Sequence, residues 1–230
     1  MKDDAKVWDP WVRLTHWLLV LSVAGAWATR KLPGDWFQWH TWLGFSTLVL
    51  VVTRLAWGFV GTRHARFGQF VRGPRATWRY ARGLLAGRDV STVGHNPLGA
   101  LMVLALLGLL LAQACTGLFA SDADIFEFGP LSAYVSQTLS RSLTGWHQEI
   151  AATMLWFIGL HVIAVLSYLL VKRENLIWPM ITGRKPAQQV PAAERISASR
   201  LWLALLVAML LALALAWVVR SAPVAEPSFF

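Results

Sequence analysis

The chain has 230 residues, 56% of them hydrophobic and only 14% charged, with 14 Trp; this is the make-up of a membrane protein and excludes an ordinary soluble domain. Its formal net charge of +9 would suit nucleic-acid binding, but the cations cluster in two segments between apolar runs, so membrane topology accounts for them and nucleic acid is excluded as a partner. The single cysteine, Cys115, lies inside an apolar run, which excludes a disulfide framework, a thiolate zinc site and a C-x-x-C-H attachment motif.

Crossing the hydrocarbon takes about 20 apolar residues as helix. Five stretches qualify, residues 11–29, 37–60, 98–119, 147–171 and 200–219, and predict an all-α integral membrane protein with five transmembrane helices. Ala26-Trp27-Ala28 resembles a signal-peptide cleavage site. Against that, Asp3, Asp4 and Asp9 flank the lysines, and Arg13 and His16 interrupt what would be a featureless apolar core, so 11–29 is read as a retained span. Between spans two and three lie Arg63, Arg66, Arg72, Arg75, Arg79, Arg82 and Arg88, which places that segment in the cytoplasm by the positive-inside rule. Within it, residues 74–85 set Trp78, Leu84 and Leu85 among arginines, a pattern that fits either a short amphipathic helix on the inner interface or a solvated basic loop.

Asn96-Pro97 reads as an N-cap followed by proline at the first helical position, and starts span three. The next connection carries Asp122, Asp124 and Glu127 against Arg141 and suits the outer face. Residues 172–199 hold Lys172, Arg173, Arg184, Lys185 and Arg195 and return the chain to the cytoplasm. Five crossings therefore leave the N-terminus inside, in the cytoplasm, and the C-terminus outside. Trp8, Trp11, Trp36, Trp39, Trp42, Trp146 and Trp178 fall near span ends, where indoles favour the headgroup boundary.

Ionisable groups within spans are expensive in lipid and accompany partners or cofactors. His16, His40, His147 and His161 all fall within or at the ends of expected helices. His16 and His161 belong to the inner half, His40 and His147 to the outer half, giving two pairs at two depths. On span four, the 14 residues between His147 and His161 leave them within about 40° of one another and about 21 Å apart along the axis. Facing imidazoles in a helix bundle hold a low-spin haem iron by filling both axial positions, so two non-covalent haem b groups are expected. Zinc or copper fits less well, since no carboxylate or thiol accompanies the histidines. Residues 1–185 are then a di-haem four-helix bundle, 186–199 a cytoplasmic linker, and 200–230 a fifth helix with an external tail.

Supporting residues recur at matching offsets. Arg54, 14 residues after His40, and Arg13, one turn before His16, are candidate partners for propionates of the inner haem. Gly44, one turn after His40, removes a side chain where a porphyrin plane needs room, and Gly117 and Gly159 do likewise; close helix packing explains each glycine equally well. His64 is expected to be solvated in the basic loop. His95, Glu149 and Arg54 are quinone-site candidates by polarity alone, His95 with a structural alternative.

These residues resemble the bacterial cytochrome b561 and nickel-iron hydrogenase b-type cytochrome family, related to the gamma subunit of formate dehydrogenase. The likeness covers residues 7 to about 185. It rests on Arg13-Leu14-Thr15-His16-Trp17, on His40 with Gly44 and Arg54, on Gly94-His95-Asn96-Pro97, on Thr116-Gly117, and on Trp146-His147 followed by His161. The resemblance implies that His16 and His161 hold the inner iron and His40 and His147 the outer one. It also implies electron exchange between a quinone pool, ubiquinone or menaquinone, and a redox partner. That partner is a periplasmic c-type cytochrome, which the acidic segment 121–128 would attract, or a dehydrogenase subunit. Hydrogenase subunits of the family typically have four spans, whereas residues 200–219 add a fifth. Two other functions remain open: a superoxide oxidase passing electrons to quinone, and a haem-free membrane anchor.

Overall fold

The computed structural model describes residues 4–87, 92–122, 126–196 and 198–224. Asp3, Arg88, Asp124 and residues 225–230 of the expected external tail lie outside the described residues. Among the described residues the regular structure is helical apart from two short antiparallel ladders. In order it forms β1 (Asp4–Lys6), α1 (Pro10–Thr29), α2 (Phe37–Val60), α3 (Phe67–Phe70), α4 (Pro74–Leu85) and α5 (Pro97–Phe119). There follow β2 (Ser121–Asp122), β3 (Glu127–Phe128), α6 (Gln137–Leu170), α7 (Ile177–Thr182), β4 (Arg184–Pro186) and α8 (Leu201–Arg220).

Four helices, α2, α5, α6 and α8, are long and apolar enough to cross a membrane. The expected first span also folds as a helix, α1, of 20 residues. Arg13, Thr15 and His16 in its first half keep it less apolar than the other four. Only 6% of the apolar stretches of α6 and of α8 is buried within the chain, so Trp156, Leu170, Leu213 and Trp217 lie exposed. Apolar faces of that extent are compatible with lipid and not with water.

The residues cluster into two compact units. Unit 1 contains residues 1–15, 54–106 and 157–204; unit 2 contains 16–53, 107–156 and 205–230. In unit 1, β1 pairs with β4 with Ala5 opposite Lys185, around a core of Val7, Trp8, Trp11, Val12, Trp57, Phe70 and Val190. Trp8 and Trp11 are thus core residues, not headgroup anchors as expected, because Asp9 between them is itself buried and draws the start of α1 inward. Gly183 closes α7 at φ +80°. A Cβ there would meet the Trp8 carbonyl at 2.8 Å, so glycine is needed both for the left-handed turn and for the close approach. Asn96 caps α5 as expected, its Oδ1 accepting the Gly99 N–H at 2.7 Å. Residues 74–85 form a helix, α4, with Thr77 and Tyr80 buried and Trp78, Arg75, Arg79 and Arg82 exposed.

In unit 2 the core consists of Leu50, Val51, Leu107, Leu110, Leu131 and Met154, with Thr47, Thr53, Ser132 and Ser140 among them. The last carbonyls of α5 are not left orphaned: Leu131 N–H donates to Leu118 O and Gly129 N–H to Ala120 O, which closes the helix end without a conventional cap. Helix α6 begins ten residues before the expected span, at Gln137. Its 34 residues amount to about 51 Å, well beyond the hydrocarbon, and its polar first turns are held by other means. Ser140 Oγ donates to Phe119 O at 2.6 Å, and Thr144 Oγ1 both accepts from Ser121 N–H and donates to Ser121 O.

Candidate functional site

Two of the expected ligands meet within unit 2. His40 on α2 and His147 on α6 face each other with ring centroids 6.2 Å apart and planes at 80°. A metal–imidazole bond is about 2 Å and the ring centre lies about 1 Å behind its nitrogen, so two imidazoles sharing one metal have centroids about 6 Å apart. His40 Nδ1 lies 2.9 Å from the Ala26 carbonyl and His147 Nδ1 lies 3.0 Å from the Gln113 carbonyl. A carbonyl only accepts, so each Nδ1 carries the proton and each Nε2 presents a lone pair, which is the tautomer that ligates a metal. His147 Nε2 also lies 3.0 Å from Gln113 Nε2, while Gln113 Oε1 is buried with no hydrogen-bond partner.

The glycines around this pair have different roles. A Cβ on Gly117 would lie 2.8 Å from His147 Cε1 and 3.2 Å from its Nδ1, so the absent side chain lets the imidazole rest against α5. The room expected there for a porphyrin is taken by the His147 ring. At Gly44 nothing lies within 4 Å of where a Cβ would stand, and the same is true of Gly159; Gly44 therefore borders open space one turn from His40.

The remaining expected residues are distributed over both units. His16, half-buried in unit 2, sits edge-on to Trp17 with ring centroids 5.0 Å apart. His161, half-buried, belongs to the part of α6 in unit 1. Arg13 donates through Nη1 to the Ile181 carbonyl, and its buried Nε has no hydrogen-bond partner. Arg54 is 6% exposed; of its five N–H donors, Nη1 donates to Ala65 O at 3.3 Å, and the guanidinium lies 5.5 Å from the centre of the Phe67 ring. His95 packs between Trp8 and Phe70, at 4.7 and 4.6 Å between ring centroids. Glu149 is exposed on α6. His64, expected in solvent, is buried, with Nε2 2.8 Å from Glu194 O; the linker carbonyl replaces water as its partner.

Among the described residues no group of three or more His, Cys, Asp or Glu could hold a metal ion, whereas a structural zinc takes four protein ligands. A haem brings four equatorial nitrogens and asks the protein only for its axial ligands. Two imidazoles with protonated Nδ1 at metal-sharing separation and an open space at Gly44 fit that group.

Three residues at these sites have no site role in the sequence reading. Asp9 is 2% exposed and accepts from Val12 N–H, Trp57 Nε1 and Thr62 Oγ1, so it ties the start of α1 to the end of α2. Asp9-Pro10 has the same cap-then-proline form as Asn96-Pro97 and was legible on that ground. Gln113 was legible as a lone amide in an apolar run. The carbonyl of Ala26 has no sequence signal, because a backbone acceptor is common to every residue.

A family model described as Prokaryotic cytochrome b561 matches residues 7–183 of the chain. No curated protein and no solved structure matches it.

Proposed function

The chain belongs to the prokaryotic cytochrome b561 family, membrane proteins of b-type haem electron transfer, and from that premise we propose that it carries electrons between the quinone pool and a redox partner through two bound haem b groups. His40 and His147 hold one haem and His16 and His161 the other. Gly44 leaves room for the first, and Arg13 and Arg54 meet propionates of the second. Haem b supplies reversible one-electron chemistry when bound between two imidazoles. The protein's own part is to fix the tautomer and aim of each ligand, to exclude water, and to carry the guanidinium charge that a propionate neutralises.

The observation that carries this reading is the His40–His147 pair, with centroids 6.2 Å apart and both Nδ1 atoms seated on backbone carbonyls. Two histidines packed merely as core residues have no need of matching tautomers at a metal-sharing separation. Helix α1 is a span too, the first of five, its Arg13 and His16 being compensated by haem, and the arginine-rich segments set the N-terminus in the cytoplasm and the C-terminus in the periplasm. The redox partner is a periplasmic c-type cytochrome or a dehydrogenase subunit.

The test is a pyridine haemochrome assay on the purified full-length protein, His147→Ala and His161→Ala. Wild type should contain two haem b per chain and each variant one, with different spectra remaining. Haem-free wild type, or unchanged stoichiometry in both variants, would sink the proposal. Reduction of the bound haem by a quinol tests the quinone assignment separately.

A further inference from the structure

The two imidazoles of unit 2 are seated alike, and the likeness extends to a pair of threonines. Thr29, three residues after Ala26, donates its hydroxyl at 2.8 Å to the carbonyl that His40 Nδ1 uses. Thr116, three residues after Gln113, donates at 3.1 Å to the carbonyl that His147 Nδ1 uses, and also reaches Ala112 O at 2.8 Å. The hydroxyl oxygens lie 3.4 and 3.3 Å from the respective Nδ1 atoms, beyond ordinary bonding distance. A helical threonine often bonds a carbonyl three or four residues back, so neither contact alone would signify. Here the same carbonyl also receives a ligand imidazole, and this happens twice, on two different helices.

We propose that Thr29 and Thr116 are positioning residues that raise the reduction potential of the haem held by His40 and His147, by sharing the carbonyl that accepts each ligand's Nδ1 proton. This rests on the ligand reading given above. Each donor on a carbonyl oxygen draws electron density from it and weakens its hold on the other. A weaker pull on the Nδ1 proton leaves the imidazole less anionic and a poorer donor to ferric iron, so the ferrous state is favoured.

Valine matches threonine in shape and lacks the hydroxyl, so Thr29→Val and Thr116→Val remove the hydroxyl donor and leave the imidazole on its carbonyl. Redox potentiometry and ferric EPR of the haem-loaded full-length protein should show two haems retained and one midpoint potential lowered. The expected shift is roughly threefold in the ferric-to-ferrous ratio, about 30 mV by the one-electron relation. The other haem should be unmoved, and Thr29→Ser and Thr116→Ser should restore the wild-type value. Because both ligands grip one iron, either threonine reads the same haem if the other variant loads poorly. Unchanged or raised potentials at full haem content would overturn the proposal, as would equal shifts in both haems. His40→Ala and His147→Ala must each lose that same haem; if they do not, the ligand reading fails whatever the threonines do.

Discussion

Replacing Asp9 by alanine removes the carboxylate through which the start of α1 is tied to the end of α2. Its Oδ1 accepts the Val12 N–H at 2.9 Å, and loss of such a cap costs about 1 kcal/mol. Its Oδ2 accepts from Trp57 Nε1 at 3.0 Å, and Trp57 is 2% exposed, so a stranded indole N–H adds about 1–3 kcal/mol. Thr62, half-buried, can turn to water and contributes about 0.5–1 kcal/mol. The sum is about 3–5 kcal/mol, before counting the charge that Asp9 sets against Arg54. At about 2–4 °C per kcal/mol for a chain of this size, the melting temperature should fall on the order of 10 °C. Tryptophan-fluorescence melts of the haem-loaded protein in detergent read this directly. Asp9→Asn keeps one acceptor and should lose less than half as much. An alanine variant melting within about 2 °C of wild type, or an asparagine variant equally damaged, would refute the anchoring role.

Gly117→Ala should push the His147 ring off its seat, since the new methyl would stand 2.8 Å from Cε1; haem content should fall from two per chain to one, read by pyridine haemochrome, with the second haem's spectrum retained. Gly129→Ala should destabilise the protein by about 3 kcal/mol or more. Its Cβ would lie 2.6–2.7 Å from the carbonyl oxygens of Gly117, Leu118 and Ala120, and backbone cannot yield as a side chain can; a melting temperature equal to wild type would contradict this. Arg30→Gln breaks the 2.7 Å ion pair with Glu127, but Arg30 is 41% exposed, so the loss should stay below about 1 kcal/mol and the melt should move by no more than about 3 °C.

Helix positions were legible in the sequence wherever hydrophobicity alone decides them. Residues 37–60 and 98–119 match α2 and α5 almost residue for residue, because twenty apolar residues in lipid have no alternative to helix. The Asn96 cap was legible for a similar reason, since a cap is local; for α4 the sequence left a helix and a solvated basic loop equally open. The start of α6 was not, since residues 137–146 are polar and stay helical only through Ser140 and Thr144 bonding to the end of α5 and the strand after it. The two ladders, β1 with β4 and β2 with β3, are too short to carry a periodic signal.

The sequence by itself determined the membrane class and the helical fold, because lipid leaves so few choices of backbone, and it singled out the histidines as candidates because lipid punishes an idle imidazole. What only the tertiary structure decided is how those residues are held. Trp8, Trp11 and His64 are buried where composition favoured the boundary or water, drawn in by Asp9 and by the linker carbonyl of Glu194. His40 and His147 owe their tautomers to the carbonyls of Ala26 and Gln113. Every residue has a carbonyl, and only the approach of one helix to another selects the one that a distant side chain will meet.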